Sequence, residues 1–262
     1  MMKRDWVCRI GALVCAAAFL AFWIVSPTLS QVPDAQLLLK SLISRVLGSA
    51  VFLFVLLYLR YRVWQMPRGV SALAVFLPAL AVVVNNLPII ALISGSARVE
   101  QTDLIWLFAL DSLFIGVFEE LAFRGVLFPL LLESRGNTVR GIVLTTFLSS
   151  AIFGLIHLVN LLEGASVGAT LMQVGYSFLI GGMCAIVLLK TANLLFCILL
   201  HAIYDFCGGL LPALGSGSWW DTPTVILTVL LAVSVTAWML FVLFHIKPDE
   251  IHRIYAKGEK DT

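Results

Sequence analysis

Apolar runs of membrane-spanning length recur along this whole chain, and no other feature limits its fold as strongly. A helix needs roughly 20 apolar residues to cross a hydrocarbon core. Windows of that length pick out eight candidate spans, at about 9–29, 42–60, 70–94, 104–128, 139–160, 168–189, 192–211 and 223–246. Inside a bilayer no water is available to satisfy peptide groups, so such runs fold as helices. Composition agrees, because only 12% of the residues are charged against about 25% in an ordinary soluble domain. The expected fold class is therefore all-α, a polytopic transmembrane bundle of about eight helices with nothing left over for a soluble domain.

Lys and Arg accumulate in short cytoplasmic loops, which orients the bundle. Lys3, Arg4, Arg9, Arg60, Arg62, Arg68, Arg135, Arg140, Lys190, Lys247, Arg253, Lys257 and Lys260 fall on one side of the expected membrane. Lys40, Arg45 and Arg98 fall on the other. The chain is expected to be a multi-pass protein of the cell membrane with both termini cytoplasmic. Its basic residues are too scattered for a nucleic-acid surface, so the lipid bilayer is an expected partner and nucleic acid is not. The first apolar run follows a basic start, but "WIVSPTLSQ" offers no convincing small-residue cleavage site, so it reads as an uncleaved helix. Trp6, Trp64, Trp106, Trp219 and Trp220 lie near span ends, where an interfacial aromatic belt would place them.

Other polar or small residues receive packing readings. Asn85 and Asn86 precede Pro88 within the third span; a proline frees a backbone carbonyl, and the amides are expected to join helices rather than line a polar cavity. The five cysteines lack CxxC spacing and read as packing residues. Gly164, Gly168, Gly181 and Gly182 suit close helix approach.

The second half of the chain is different, since it carries residues a purely structural membrane helix avoids. Span four contains Glu119, Glu120 and Arg124, span five His157 and Asn160, and span seven His201 and Asp205. Each charge at mid-bilayer costs at least about 2.5 kcal/mol. Glu120 with Arg124 and His201 with Asp205 are spaced four apart, and His157 with Asn160 three apart, so each helix presents one polar patch. Turning three patches toward one another is the least costly way to bury them. Asp111, eight residues before Glu119, either lines the same cavity or hydrogen-bonds a neighbouring helix.

Titratable groups gathered in this way suit proton transfer. A glutamate paired with a histidine can deprotonate water, and a second histidine can stabilise the resulting oxyanion. That assembly hydrolyses an amide or ester. No Gly-rich phosphate loop is present and a nucleophilic triad is not expected, with Ser149, Ser150 and Ser177 left open.

The motifs "EELAFRG", "FGLIH" from Phe153 to His157 and "HAIYD" from His201 to Asp205 resemble, in order and on separate apolar spans, the three motifs of the CPBP family (CAAX proteases and bacteriocin-processing enzymes, also called Abi). The resemblance covers roughly residues 100–211 and divides the chain into N-terminal helices 1–3 over 1–99, a protease-type core over 100–211, and a last helix with cytoplasmic tail over 212–262. It implies an intramembrane endopeptidase acting on a membrane-associated or lipid-modified, CAAX-like protein or peptide. It also implies catalytic roles for Glu119, Glu120, Arg124, His157, His201 and Asp205, with Phe153 and Asn160 expected beside the substrate. Glu119 would activate water assisted by His157, Glu120 and Arg124 would orient the site, and His201 and Asp205 would occupy the oxyanion-binding positions. An aspartate stands where the prenyl proteases have asparagine. Asp205 must then be protonated or, as preferred, hold His201 in its tautomer and favour its charged form.

No cofactor is expected. The alternative is zinc, since Glu119, His157, His201 and Asp205 offer two nitrogens and two oxygens; the absence of an HExxH helix favours the metal-free route. A non-catalytic bacteriocin-immunity or peptide-binding membrane protein is the rival of a different class. A proton-relay transporter is disfavoured because no internal repeat is visible.

Overall fold

The computed structural model describes residues 34–67, 70–135, 138–162, 164–218 and 221–247, together with Ala21 and Ile254. The first expected span, the cytoplasmic tail beyond 247 apart from Ile254, and Trp6, Trp219 and Trp220 lie outside the described residues.

Helices account for nearly all of the described chain: α1 (Ala35–Leu59), α2 (Val70–Asn85), α3 (Ile89–Ser94), α4 (Ile105–Glu120), α5 (Phe128–Arg135), α6 (Val139–Ile156), α7 (Val167–Thr191), α8 (Leu194–Leu214) and α9 (Thr222–Phe244). Among the described residues six stretches are long and apolar enough to cross a membrane: Ala35–Leu59, Ala72–Ser94, Val139–Leu161, Val167–Thr191, Leu194–Leu214 and Thr222–Phe244. The chain is an integral membrane protein with an all-α polytopic bundle.

Helix starts follow local chemistry. Asp34 accepts from the Leu37 amide at 2.7 Å, Thr138 from Gly141 at 3.0 Å, Ser166 from Ala169 at 3.2 Å and Asp221 from Thr224 at 2.8 Å, each satisfying an otherwise orphaned N–H. Asn85 and Asn86 act as expected. The helix breaks between α2 and α3, the Asn85 amide donates to Thr228 on α9 at 2.8 Å, and the Asn86 amide donates to the Tyr204 carbonyl on α8 at 3.0 Å. Two short strands, β1 (Ala97–Val99) and β2 (Gly215–Gly217), pair antiparallel and tie the approach to α4 to the end of α8.

Three expectations need correction. Span four is not one regular helix: α4 passes into a π-helical segment, Leu121–Leu127, before α5, and the Phe128 amide reaches back to the Phe123 carbonyl. Such widened turns occur mostly at functional sites. Arg45, counted from sequence at a membrane edge, instead lies ten residues into α1 and is only 8% exposed. Of the four glycines expected at close approaches, a side chain on Gly164 or Gly168 would meet nothing within 4 Å, whereas Gly181 and Gly182 do sit against neighbouring helices.

The core lies where α1, α4, α6, α7 and α8 meet, around Phe52, Phe118, Phe123, Phe153 and Leu200. α4 and α8 approach closely. A Cβ on Gly116 would stand 3.0 Å from both the Ala202 nitrogen and the Ile198 oxygen, so only glycine lets these two backbones come so near. That contact sets the level at which Glu120 meets His201.

Candidate active site

Glu119 and Glu120 are the last residues of α4, and Arg124 lies in the π segment that follows. Glu120 and Arg124 are both fully buried, and the guanidinium Nη1 donates to Glu120 Oε1 at 2.9 Å. The face of the guanidinium rests on the Phe153 ring, 4.3 Å from its centroid. A Cβ on Gly181 of α7 would fall 2.9 Å from Arg124 Nη2 and 3.1 Å from Phe153, so the missing side chain makes room for that stack.

His201 of α8 is the junction of the site. Its Nδ1 lies 2.7 Å from Glu120 Oε1, and its Nε2 lies 3.5 Å from Glu119 Oε2 and 3.4 Å from Asp205 Oδ2. Both ring nitrogens thus face carboxylate oxygens, an arrangement satisfied when both carry protons and donate. Asp205, one turn along α8, is partly exposed.

His157 opens the short 3₁₀ turn His157–Leu161 at the end of α6. Its Nδ1 is 2.9 Å from the Phe153 carbonyl, which can only accept. In the neutral ring Nδ1 therefore holds the proton and Nε2 presents its lone pair. The Ser177 hydroxyl of α7 lies 3.5 Å from that nitrogen. Phe153 stands between the two histidines, with ring centroids 5.5 Å from His157 and 5.7 Å from His201, both edge-on. Asn160 turns away and donates to Gln173 on α7 at 2.8 Å.

The structure therefore draws Glu119, Glu120, Arg124, Phe153, His157, His201 and Asp205 together and leaves Asn160 on a separate contact. Two elements went unnoticed in the sequence, and the structure adds to the reading of a third. Asp111, left between two readings, is fully buried and faces α1, within electrostatic reach of Ser41 and Arg45. Arg45 lies over the Phe118 ring, its guanidinium carbon 5.1 Å from the centroid. Tyr176 and Tyr204 pair their rings at 5.9 Å between centroids, and Tyr204 directly precedes Asp205 on α8. The signal for Arg45 was present, since Ser41, Ser44, Arg45 and Ser49 recur at helical spacing, but it needed a helix starting at 35 rather than 42. The tyrosines left no such trace in an aromatic-rich membrane sequence.

Tyr176 and Tyr204 also border a cavity of about 410 Å³. It runs between α2, α6, α7 and α9, and apolar side chains such as Val82, Met183, Val235 and Met239 make up most of its wall. Among the described residues no three of His, Cys, Asp and Glu stand at metal-ligating geometry.

Residues 101–207 match the family model described as Type II CAAX prenyl endopeptidase Rce1-like. No curated protein and no solved structure matches the chain significantly.

Proposed function

Because residues 101–207 match the Type II CAAX prenyl endopeptidase Rce1-like family model, we propose that the chain is a CPBP/CAAX-type intramembrane endopeptidase whose water is activated by Glu119 and whose substrate carries a lipid. The observation that carries this reading is the convergence of three motif segments on the buried His201: the carboxylates of α4 and of Asp205 on α8 meet its ring nitrogens, and Phe153 of α6 stands edge-on to its ring.

In this reading a water sits between Glu119 and the Nε2 lone pair of His157. Glu119 takes its proton as the oxygen attacks the scissile carbonyl carbon, and negative charge develops on the carbonyl oxygen. His201, held by Glu120 and Asp205, donates an N–H to that oxyanion. Glu119 then passes the proton to the leaving nitrogen, the C–N bond breaks, and a carboxylic acid and an amine depart. Glu120 and Arg124 neutralise each other and fix the ring of His201 from behind. Asp205 keeps His201 protonated through its contact with Nε2. The apolar cavity behind Tyr176 and Tyr204 falls within the size range of small-ligand pockets, about 300–1,000 Å³, and suits the hydrocarbon of a prenyl group.

Zinc is the competing mechanism, with Glu119, His157 and His201 as its ligands. A cleavage assay on purified protein in detergent decides, using prenylated and membrane-anchored peptides with and without a strong chelator, beside Glu119→Gln. The glutamate route expects cleavage that survives chelation and is lost in Glu119→Gln. Loss on chelation with recovery on adding zinc would transfer the role to the metal. Full cellular activity in Glu119→Gln would replace the enzyme by a binding protein.

A further inference from the structure

The three motifs lie at the end of α4, on α6 and on α8, yet α7 also reaches the site. Gly154, three residues before His157, is what lets it in. A Cβ there would stand 2.7 Å from the Val174 oxygen and 3.3 Å from Phe178 Cβ, so the end of α6 closes on α7 only because that position has no side chain. From there the two segments run past each other antiparallel. Gly154 lies against Phe178, His157 Nε2 lies 3.5 Å from Ser177 Oγ, and the Asn160 amide donates to Gln173 at 2.8 Å. Two side chains one turn apart on α7, Gln173 and Ser177, therefore meet the 3₁₀ turn that His157 opens.

Ser177 uses its hydroxyl differently from other buried serines of the bundle. Ser49, Ser112 and Ser150, on α1, α4 and α6, each donate to the carbonyl four residues back, at 2.7, 2.9 and 2.7 Å, a common local partner for a hydroxyl inside a helix. Ser177 is buried as they are, but its hydroxyl is directed across to His157 on the neighbouring helix. The sense of that bond follows from the other ring nitrogen. Nδ1 faces the Phe153 carbonyl at 2.9 Å, so in the neutral ring it carries the proton. Nε2 is then the acceptor and Ser177 the donor. At 3.5 Å the bond is long for a hydroxyl; it aims the lone pair without closing it off, and catalytic hydrogen bonds are often this loose before substrate tightens them.

We propose that Ser177 is a positioning residue of the site: a placeholder donor that keeps Nε2 of His157 aimed until the attacking water displaces it. Its effect on cleavage rests on the peptidase reading, whereas the pairing of hydroxyl and ring does not.

The test compares the full chain in detergent as wild type, Ser177→Ala and Ser177→Thr. Each is measured for kcat and KM on a cleaved prenylated peptide, for its thermal unfolding midpoint, and for the imidazole ¹⁵N resonances of His157, assigned by their absence in His157→Gln. Ser177→Ala should lower kcat about 10- to 100-fold, the scale on which misplacing a reacting group acts, with KM within about twofold. Ser177→Thr keeps the hydroxyl and should recover most of that loss. In Ser177→Ala the Nε2 resonance should move downfield, because the lone pair loses its donor. A kcat equal to wild type in Ser177→Ala would overturn the proposal, and so would a raised KM at unchanged kcat, which would make Ser177 a substrate contact. A threonine variant with the wild-type midpoint but no better kcat than alanine would also overturn it. Irreversible labelling of Ser177 by a fluorophosphonate, with loss of activity, would replace positioning by a nucleophilic role. If the wild type cleaves no peptide, the peptidase reading falls and the ¹⁵N measurement still decides: a downfield shift in Ser177→Ala supports the pairing, and an unchanged resonance rejects it.

Discussion

Arg124→Met isolates the energetics on which the site is built. Methionine keeps the length and an apolar, flexible body while deleting the guanidinium. Both Arg124 and Glu120 have no exposed side-chain surface, and their contact is 2.9 Å. Breaking such a buried pair from one side costs about 3–5 kcal/mol, because the remaining charge is left uncompensated. The stack on Phe153 at 4.3 Å adds up to about 2 kcal/mol when desolvated. One contact works the other way: His201 Nδ1 still lies 2.7 Å from Glu120 Oε1 and continues to stabilise that oxygen. The net expectation is a loss of about 3 kcal/mol, near the lower end of the buried-pair range. For a chain of this size about 1 kcal/mol shifts the midpoint by roughly 2–4 °C, so the variant should unfold roughly 6–12 °C below wild type in the same detergent. Adding Glu120→Gln removes the stranded charge, and the double variant should regain most of the difference. The assay is a thermal ramp with detection of the monodisperse fraction. A single variant within about 2 °C of wild type, or a double variant that loses the sum of the two singles, would refute the reasoning.

Three further outcomes follow from other contacts. Gly116→Ala forces a methyl to 3.0 Å from two backbone atoms of α8, so it should cost about 1–3 kcal/mol and lower cleavage by widening the gap between Glu120 and His201, read from paired melting and activity measurements. Asn85→Ala removes the 2.8 Å bond to Thr228; a membrane interhelical bond is worth about 0.6 kcal/mol, so cysteine cross-linking between α2 and α9 should become less efficient with only a small change in unfolding midpoint. Glu100, outside the spans, accepts from Ser216 and Arg98, which hold its carboxyl below its ordinary value. A depressed value means that its contribution is present above roughly pH 4.3 and is lost as pH falls further, so amide-exchange protection of the β1–β2 pair should drop there, and Glu100→Gln should abolish that pH dependence.

Most of the architecture was legible because the bilayer leaves the chain few choices. Apolar length fixes spans, and the described helices start or end within a few residues of the expected ones. The charged positions stood out for the same reason, since an ion among apolar residues is conspicuous. With a helix starting at 42, Arg45 counts as an edge charge; the helix starts seven residues earlier, which puts Arg45 about two turns further in, where it is buried. The π segment was invisible because "LAFRGVL" has no composition that separates a widened turn from a regular one. Asn160 shows the limit of helical spacing, for it lies three residues from His157 but falls on a 3₁₀ turn that points its amide toward Gln173.

The sequence by itself determined that this chain is a helical membrane bundle and which side chains are too costly in lipid to lack a partner, because transfer energies depend on residue type and run length alone. The partnerships were decided only by the tertiary structure. Glycine-mediated approach of α4 to α8 sets Glu120 against His201, a stack on Phe153 fixes Arg124, and the packing of α1 sets Arg45 over Phe118, 73 residues away in the chain. Contacts across such separations follow from how helix surfaces fit together, which no periodicity along one segment encodes.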